Sequence, residues 1–187
     1  TSSLGLSWQN VFHEQLSAKA DVSIGRYRSN STLKDRTLGI RYLSGLNNIR
    51  WKGDLHWIPN QSHSIHWGYT GTFLNSLANI SEPHGPFSSI LPDTVNKDQG
   101  VEMAVYFNDD WRVNDLFSIS WGLRASSFLN LGPYDVREYA EGAERDAATI
   151  TGIRSYGSGE LIKAFGGLEP RLSARYLLDE TFSFKLS

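Results

Sequence analysis

Two histidines, His56 and His66, fall on the same face of one expected strand pair and could offer two imidazole nitrogens to a metal or a ligand. Two donors fall short of the three or four protein ligands that a metal site needs, and solvated side chains account for the pair equally well. His63 lies three residues before His66, so on a strand it faces the other way and cannot chelate with it. Asp109 and Asp110 set two carboxylates side by side. Neighbours on a strand point to opposite faces, which argues against paired acid–base work and for a structural role beside a turn. Arg171, Arg175 and Lys185 make a basic group on one face, suited to an anion. Tyr156-Gly157-Ser158-Gly159 is too short for a phosphate-binding fingerprint and does not join a strand to a helix. The chain has no nucleophile elbow, HExxH or Walker pattern, so neither an enzyme nor a cofactor is expected.

The elements that carry these residues show a period of two, eight times over. LSAKADVSI (residues 16–24) alternates without exception, Leu16, Ala18, Ala20, Val22 and Ile24 against Ser17, Lys19, Asp21 and Ser23. IRWKGDLHW (49–57) sets Ile49, Trp51, Leu55 and Trp57 against Arg50, Lys52, Asp54 and His56. Similar runs occupy 4–12, 65–73, 101–111, 117–124, 171–176 and 182–186. Asp109 breaks the apolar face of the fifth run.

The runs form four pairs around short turns. A pairing that matches apolar to apolar predicts Trp8 opposite Ala20 and Phe12 opposite Leu16. It likewise predicts His56 opposite His66, Trp111 opposite Phe117, and Ser173 opposite Lys185. The segments 29–46, 78–97 and 132–166 read as long polar loops, with a short helix allowed within 138–149. Short turns at one end and long loops at the other are the layout of a membrane barrel.

The totals fit. The 187 residues carry a net charge of −2, no Cys and six Trp. Nothing suggests a nucleic-acid partner, a disulfide scaffold or a thiolate metal site. All six Trp lie on the apolar faces. A small barrel interior admits few rings of that size, whereas a lipid-facing wall takes them, preferably at the interfaces. Trp51, Trp57, Trp67, Trp111 and Trp121 are therefore expected as lipid-interface aromatics. The opposite face, with Arg50, Asp54, His56, His66, Arg124, Arg171, Arg175 and Lys185, is expected to line a lumen. FSFKLS (182–187) alternates with no closing turn, so residues 1–187 are expected to be part of a larger barrel.

YLSGLNNIRWKGDLHWIPNQSHSIHWGYTGTFL (42–74) resembles a stretch of the TonB-dependent outer-membrane receptors of Bacteroidetes. VEMAVYFNDDWRVNDLFSISWGLRAS (101–126) looks like that family's strand pair around a Tyr-x-x-Asp-x-Trp core. GLEPRLSARYLLDETFSFKLS (167–187) resembles its Glu-Pro-Arg-x-Ser-x-Arg-Tyr hairpin. The matches stand in the family's order, and they are architectural motifs rather than substrate motifs. The resemblance implies an all-β, antiparallel up-and-down transmembrane barrel of about 22 strands, of which about eight are present here. It implies periplasmic turns, extracellular loops and a bacterial outer-membrane location. It also implies import of a scarce ligand (siderophore, haem, cobalamin, glycan or peptide) with energy relayed by TonB. The plug, TonB box and terminal strand of that family have no counterpart here. Implied partners are outer-membrane lipid, the plug, the TonB complex and a surface lipoprotein. The lumen histidines and the basic group would then meet ligand or plug. Two alternatives stay open: a stand-alone eight-stranded outer-membrane barrel for adhesion or anchoring, and a soluble barrel that binds a small hydrophobic ligand.

Overall fold

A computed structural model describes residues 1–94, 98–178 and 182–187. Eleven strands are defined among them. They are β1 (Ser2–His13), β2 (Leu16–Leu33), β3 (Ile40–Asn60), β4 (His63–Pro83), β5 (Asp93–Thr94) and β6 (Asp98–Arg112). Then come β7 (Phe117–Leu131), β8 (Tyr134–Tyr139), β9 (Ile150–Tyr156), β10 (Leu161–Leu177) and β11 (Ser183–Leu186). One antiparallel sheet runs in the order β1-β2-β3-β4-β6-β7-β10-β11, with β5 added beside β4. β8 and β9 form a separate hairpin. The all-β expectation holds, and the sheet is not closed: among the described residues no ladder joins β11 to β1.

The sheet is a single layer. Ala104 is the one buried apolar residue among those described, at 4% exposure, while Leu4 is exposed at 77% and Leu168 at 71%. Backbone hydrogen bonding across the ladders holds the strands together, and each face needs an environment of its own. Alternation keeps the faces apart. One row across the sheet reads Leu4, Ile24, Ile49, Phe73, Val101, Leu129 and Ala164. A parallel row on the other face reads Lys19, Asp54, Gly68, Tyr106, Arg124 and Glu169.

Two of the four predicted registers are found away from their turns: Trp8 faces Ala20 and His56 faces His66, with an irregularity between Trp57 and Asn60 beside the second turn, where Asn60 pairs with His63. Beside the first turn an irregularity between Val11 and His13 makes His13, not Phe12, the partner of Leu16. The other two registers are displaced by one pair. Trp111 faces Ile119 rather than Phe117, and Lys185 faces Arg175 rather than Ser173. Both shifts preserve every face, because a displacement of two residues leaves side-chain direction unchanged. Part of the expected 178–180 turn lies outside the described residues.

The expected long loops are largely strand. β2 and β3 stay paired through Leu33 and Ile40, so that turn is only residues 34–39. β4 runs on to Pro83, and β5 pairs with it at Ile80 and Ser81. Within 132–166, β8 and β9 form their hairpin and β10 begins at Leu161. Residues 138–149 hold no α-helix, only a 3-10 turn at Ala147–Thr149 capped by the Asp146 side chain. The reason is common to all three segments. Where both faces of a ladder are polar, backbone pairing continues but the alternation of hydropathy that marks a strand disappears. At 21 residues, β3 reaches about 70 Å, well beyond a stretch of nine alternating residues.

Large rings on the apolar face are accommodated by glycines beside them. Trp51 faces Gly71 in register, and a Cβ on Gly71 would stand 2.1 Å from the Trp51 indole. Tyr69 covers Gly53 in the same way. Gly71→Ala should therefore destabilise the sheet by about 1–3 kcal/mol through overpacking. Gly5→Ala, whose added methyl would meet nothing nearer than 3.6 Å, should be close to neutral. Denaturant midpoints of the two variants of the full-length protein in detergent check this. Equal shifts would show that the ring does not rest on Gly71.

Candidate functional site

The polar face gathers its charges into a lattice by cross-strand pairing. Asp54 is the first node. Lys52 Nζ lies 2.8 Å from Asp54 Oδ2, and the Tyr106 hydroxyl donates to Asp54 Oδ1. Tyr106 reaches across β4 because Gly68, its register partner, has no side chain to stop it. Glu169 is the second node. It accepts from Ser126 Oγ at 2.8 Å and stands 3.6 Å from Arg124 Nε and 3.7 Å from an Arg171 guanidinium nitrogen. Lys52, Arg124 and Arg171 together line a recess of about 250 Å³ with Thr70, Tyr106 and Asn108. Three cations share two carboxylates there, so the recess keeps an excess of positive charge that an acidic group would complement.

His56 and His66 are stacked, with ring centroids 4.0 Å apart and planes within 8°. His56 Nε2 is 2.9 Å from Ser64 Oγ. No cluster of three or more His, Asp or Glu residues suited to a metal ion occurs among the described residues. Arg50 stands one row beyond Lys52, opposite Ser23 and Thr72, with no ion pair among the described residues. The basic group divides in two. Arg171 belongs to the Glu169 node, whereas Arg175 and Lys185 face each other near the short turns. They border a larger groove of about 820 Å³ that also holds Asp110, Ser120 and Ser173. Like charges directly opposite on a sheet repel, so this second patch also favours an anion.

The apolar face holds its own polar pair. Asp109 is 5% exposed, and its Oδ2 lies 2.8 Å from His63 Nδ1. Its Oδ1 is buried and has no hydrogen-bond partner among the described residues. The His63 ring stacks on Trp111 at 5.7 Å and 9°. Trp57, Trp67, Trp111 and Trp121 are 38–44% exposed on this face. Trp121 is the register partner of Asp109, and Trp51 sits apart over Gly71. Asp109 and Asp110 do point to opposite faces, Asp110 accepting a hydrogen bond from Ser120.

The sequence alone does not single out Tyr106, Glu169 or His63. Tyr106 sits in a run whose faces Asp109 blurs, and Glu169 sits in a motif that reads as architectural. His63 stands apart from His66, and its true partner is 46 residues away. A carboxylate on an otherwise apolar face was the available signal, since such a group requires a donor nearby.

No family model matches the chain, and no curated protein matches it. Among solved structures, it is similar to the ferric-catecholate import receptor Fiu from E. coli K12 in its open form, with a TM-score of 0.57 at 15% identity. The match covers 95% of this chain and 33% of that one. The likeness is one of fold: this chain has an antiparallel, barrel-like sheet similar to part of that structure.

Two expectations follow from the geometry. His63→Ala leaves the buried Asp109 carboxylate without its donor and should cost about 1–3 kcal/mol, as orphaned buried polar groups do. Adding Asp109→Leu should recover most of that loss, and a double-mutant cycle on unfolding midpoints measures it. At the β2–β3 turn, Asp35 Oδ1 accepts from the Leu38 amide at 2.7 Å and the Thr37 amide at 2.9 Å. These donors, Leu38 foremost, hold the Asp35 carboxyl below its ordinary value of 3.8. The folded value is depressed, so the contribution is fully present above pH 3.8 and is lost as pH falls through the lowered value. Exchange protection of the Leu38 amide, corrected for intrinsic rate, should fall in that acid range and be absent in Asp35→Ala at every pH.

Proposed function

We propose that this chain is a wall segment of a TonB-dependent outer-membrane receptor. The Trp-bearing face meets lipid, and the polar face lines the lumen and meets the plug and the passing ligand. The observation that carries the reading is the single-layer sheet with an apolar band in register across its strands and almost no buried core. On β2, β3 and β4 the band takes nine residues, 16–24, 49–57 and 65–73. A membrane-spanning strand needs about 9–11. Such a face in water would be an aggregation surface; against hydrocarbon it is stable.

The fold likeness to part of Fiu supports the same reading, as does the chain's 33% share of that structure. A stand-alone small barrel would need a ladder between β1 and β11, and the sheet here is open. The role is transport rather than catalysis. The Lys52–Arg124–Arg171 recess offers a docking point for a plug carboxylate or an anionic ligand, and the paired strand arms beyond the apolar band extend the wall toward the external medium. Ligand classes consistent with the reading are siderophore, haem, cobalamin, glycan or peptide, and the structural neighbour is an import receptor for ferric catecholate. The surrounding partners would be outer-membrane lipid, the TonB complex and a surface lipoprotein.

The test is fractionation of cells carrying the full-length protein, followed by ligand uptake with and without TonB. Recovery in the outer membrane, with migration that changes on heating and uptake that needs TonB, is expected. Extraction into buffer without detergent would favour the soluble barrel and overturn the proposal.

A further inference from the structure

The Trp-bearing face changes character abruptly at the end away from the short turns. On β1, β2, β3, β4 and β6 the row before that change contains Leu4, Ile24, Ile49, Phe73 and Val101, while β7 and β10 stay apolar one row on at Leu131 and Leu161, and β3 and β4 pair Leu43 with Ile80 further out. Two residues further along the same five strands, on the same face, the row becomes Ser2, Arg26, Asn47, Asn75 and Gln99. Arg28 follows on β2, again on that face, opposite Gly45. Arg26 and Arg28 are exposed. Arg26 Nε donates to Asn47 Oδ1 at 3.2 Å, which sets the guanidinium along the row. Neither arginine forms an ion pair among the described residues. The acid on this face of β2, β3 and β4 is Glu82, level with Arg41 and Thr32. That level is about 20 Å up the strand from Arg26.

We propose that Arg26 and Arg28, with Asn47 beside them, bind the phosphates of a phosphorylated glycolipid in the outer leaflet. The inference rests on the reading that the Trp-bearing face meets lipid. Three features then point to one occupant. The arginines stand about 7 and 14 Å along the strand past Ile24, where hydrocarbon gives way to headgroups. Neither faces a carboxylate among the described residues, and the guanidinium nitrogens beyond the Arg26 Nε–Asn47 bond can match phosphate oxygens in bidentate fashion. Asn47 adds an amide that can hydrogen-bond to sugar hydroxyls. A lipid with its phosphates at the sugar–acyl boundary meets all three conditions at once, its chains lying along Ile24, Ile49 and Val22 below.

The experiment uses the full-length protein, purified from membranes into nanodiscs of phosphatidylcholine and titrated with phosphorylated lipid A. Each arginine beside an anionic lipid surface is worth about a five-fold factor. Arg26→Gln with Arg28→Gln should therefore weaken lipid A binding by roughly 25-fold. Dephosphorylated lipid A should bind the unaltered protein as weakly, an arm that depends on no variant folding. Arg26→Lys with Arg28→Lys should recover much of the affinity. Equal binding of phosphorylated and dephosphorylated lipid A, or a Gln variant within two-fold of the unaltered protein, would overturn the proposal. A protein that stays soluble without detergent would overturn the membrane reading itself and this proposal with it. A membrane-inserted protein indifferent to phosphate overturns only this one.

Discussion

The lateral ladder of backbone hydrogen bonds is what everything else in this chain rests on. A single-layer sheet has no core to collapse around, so register must come from the ladders and from the demand that two unlike faces stay separate. Slipping β3 by one residue would send Trp51 and Trp57 to the polar side and His56 and Lys52 to the apolar one. That penalty is large and is repeated on every strand. It confines the pairing to shifts of two residues, which is the size of the difference found around Trp111 and Lys185.

Within that constraint, the polar face is built from acids that tie neighbouring strands together. Asp54 joins β3 to β6 through Tyr106, and Glu169 joins β10 to β7 through Arg124 and Ser126. These contacts are half exposed, and their stabilising effect is small. Their consequence is placement: they hold three cations around one recess and leave charge over for a further anion. Among the described residues Arg175 and Lys185 form no ion pair, which makes them a second place where an anion would relieve repulsion. The apolar face shows the converse arrangement. The one buried acid among the described residues, Asp109, is held by His63 and lies opposite Ile65 and Trp121, so a group that would break the face is absorbed into it.

Much of the fold was legible because strand patterning is local. The eight alternating runs and their faces follow from hydropathy along a few residues, as do the short turns, and the His56–His66 pairing follows from matching those faces. The distal strand arms were not legible. Residues 29–33 and 40–46 are polar or mixed on both sides, so nothing in their composition distinguishes a paired arm from a loop. The β8–β9 hairpin was hidden for the same reason, with Tyr134, Val136 and Tyr139 too sparse to show a period. Of the site, the cations were legible as types on a face. Their partition into one cluster around Glu169 and another around Arg175 was not.

The sequence by itself therefore determined that this is a two-faced β structure, which side chains share a face, and where the chain turns back. Period-two alternation and turn chemistry are properties of neighbouring residues, so no fold is needed to read them. Only the tertiary structure decided which of these side chains meet across the strands: Tyr106 with Asp54, Glu169 with Arg124, His63 with Asp109, and Arg26 with Asn47. Those partners are separated by 52, 45, 46 and 21 residues. Their meeting depends on turn length and on β-bulges, and adding one pair to a turn leaves every face intact while moving each partner by two positions.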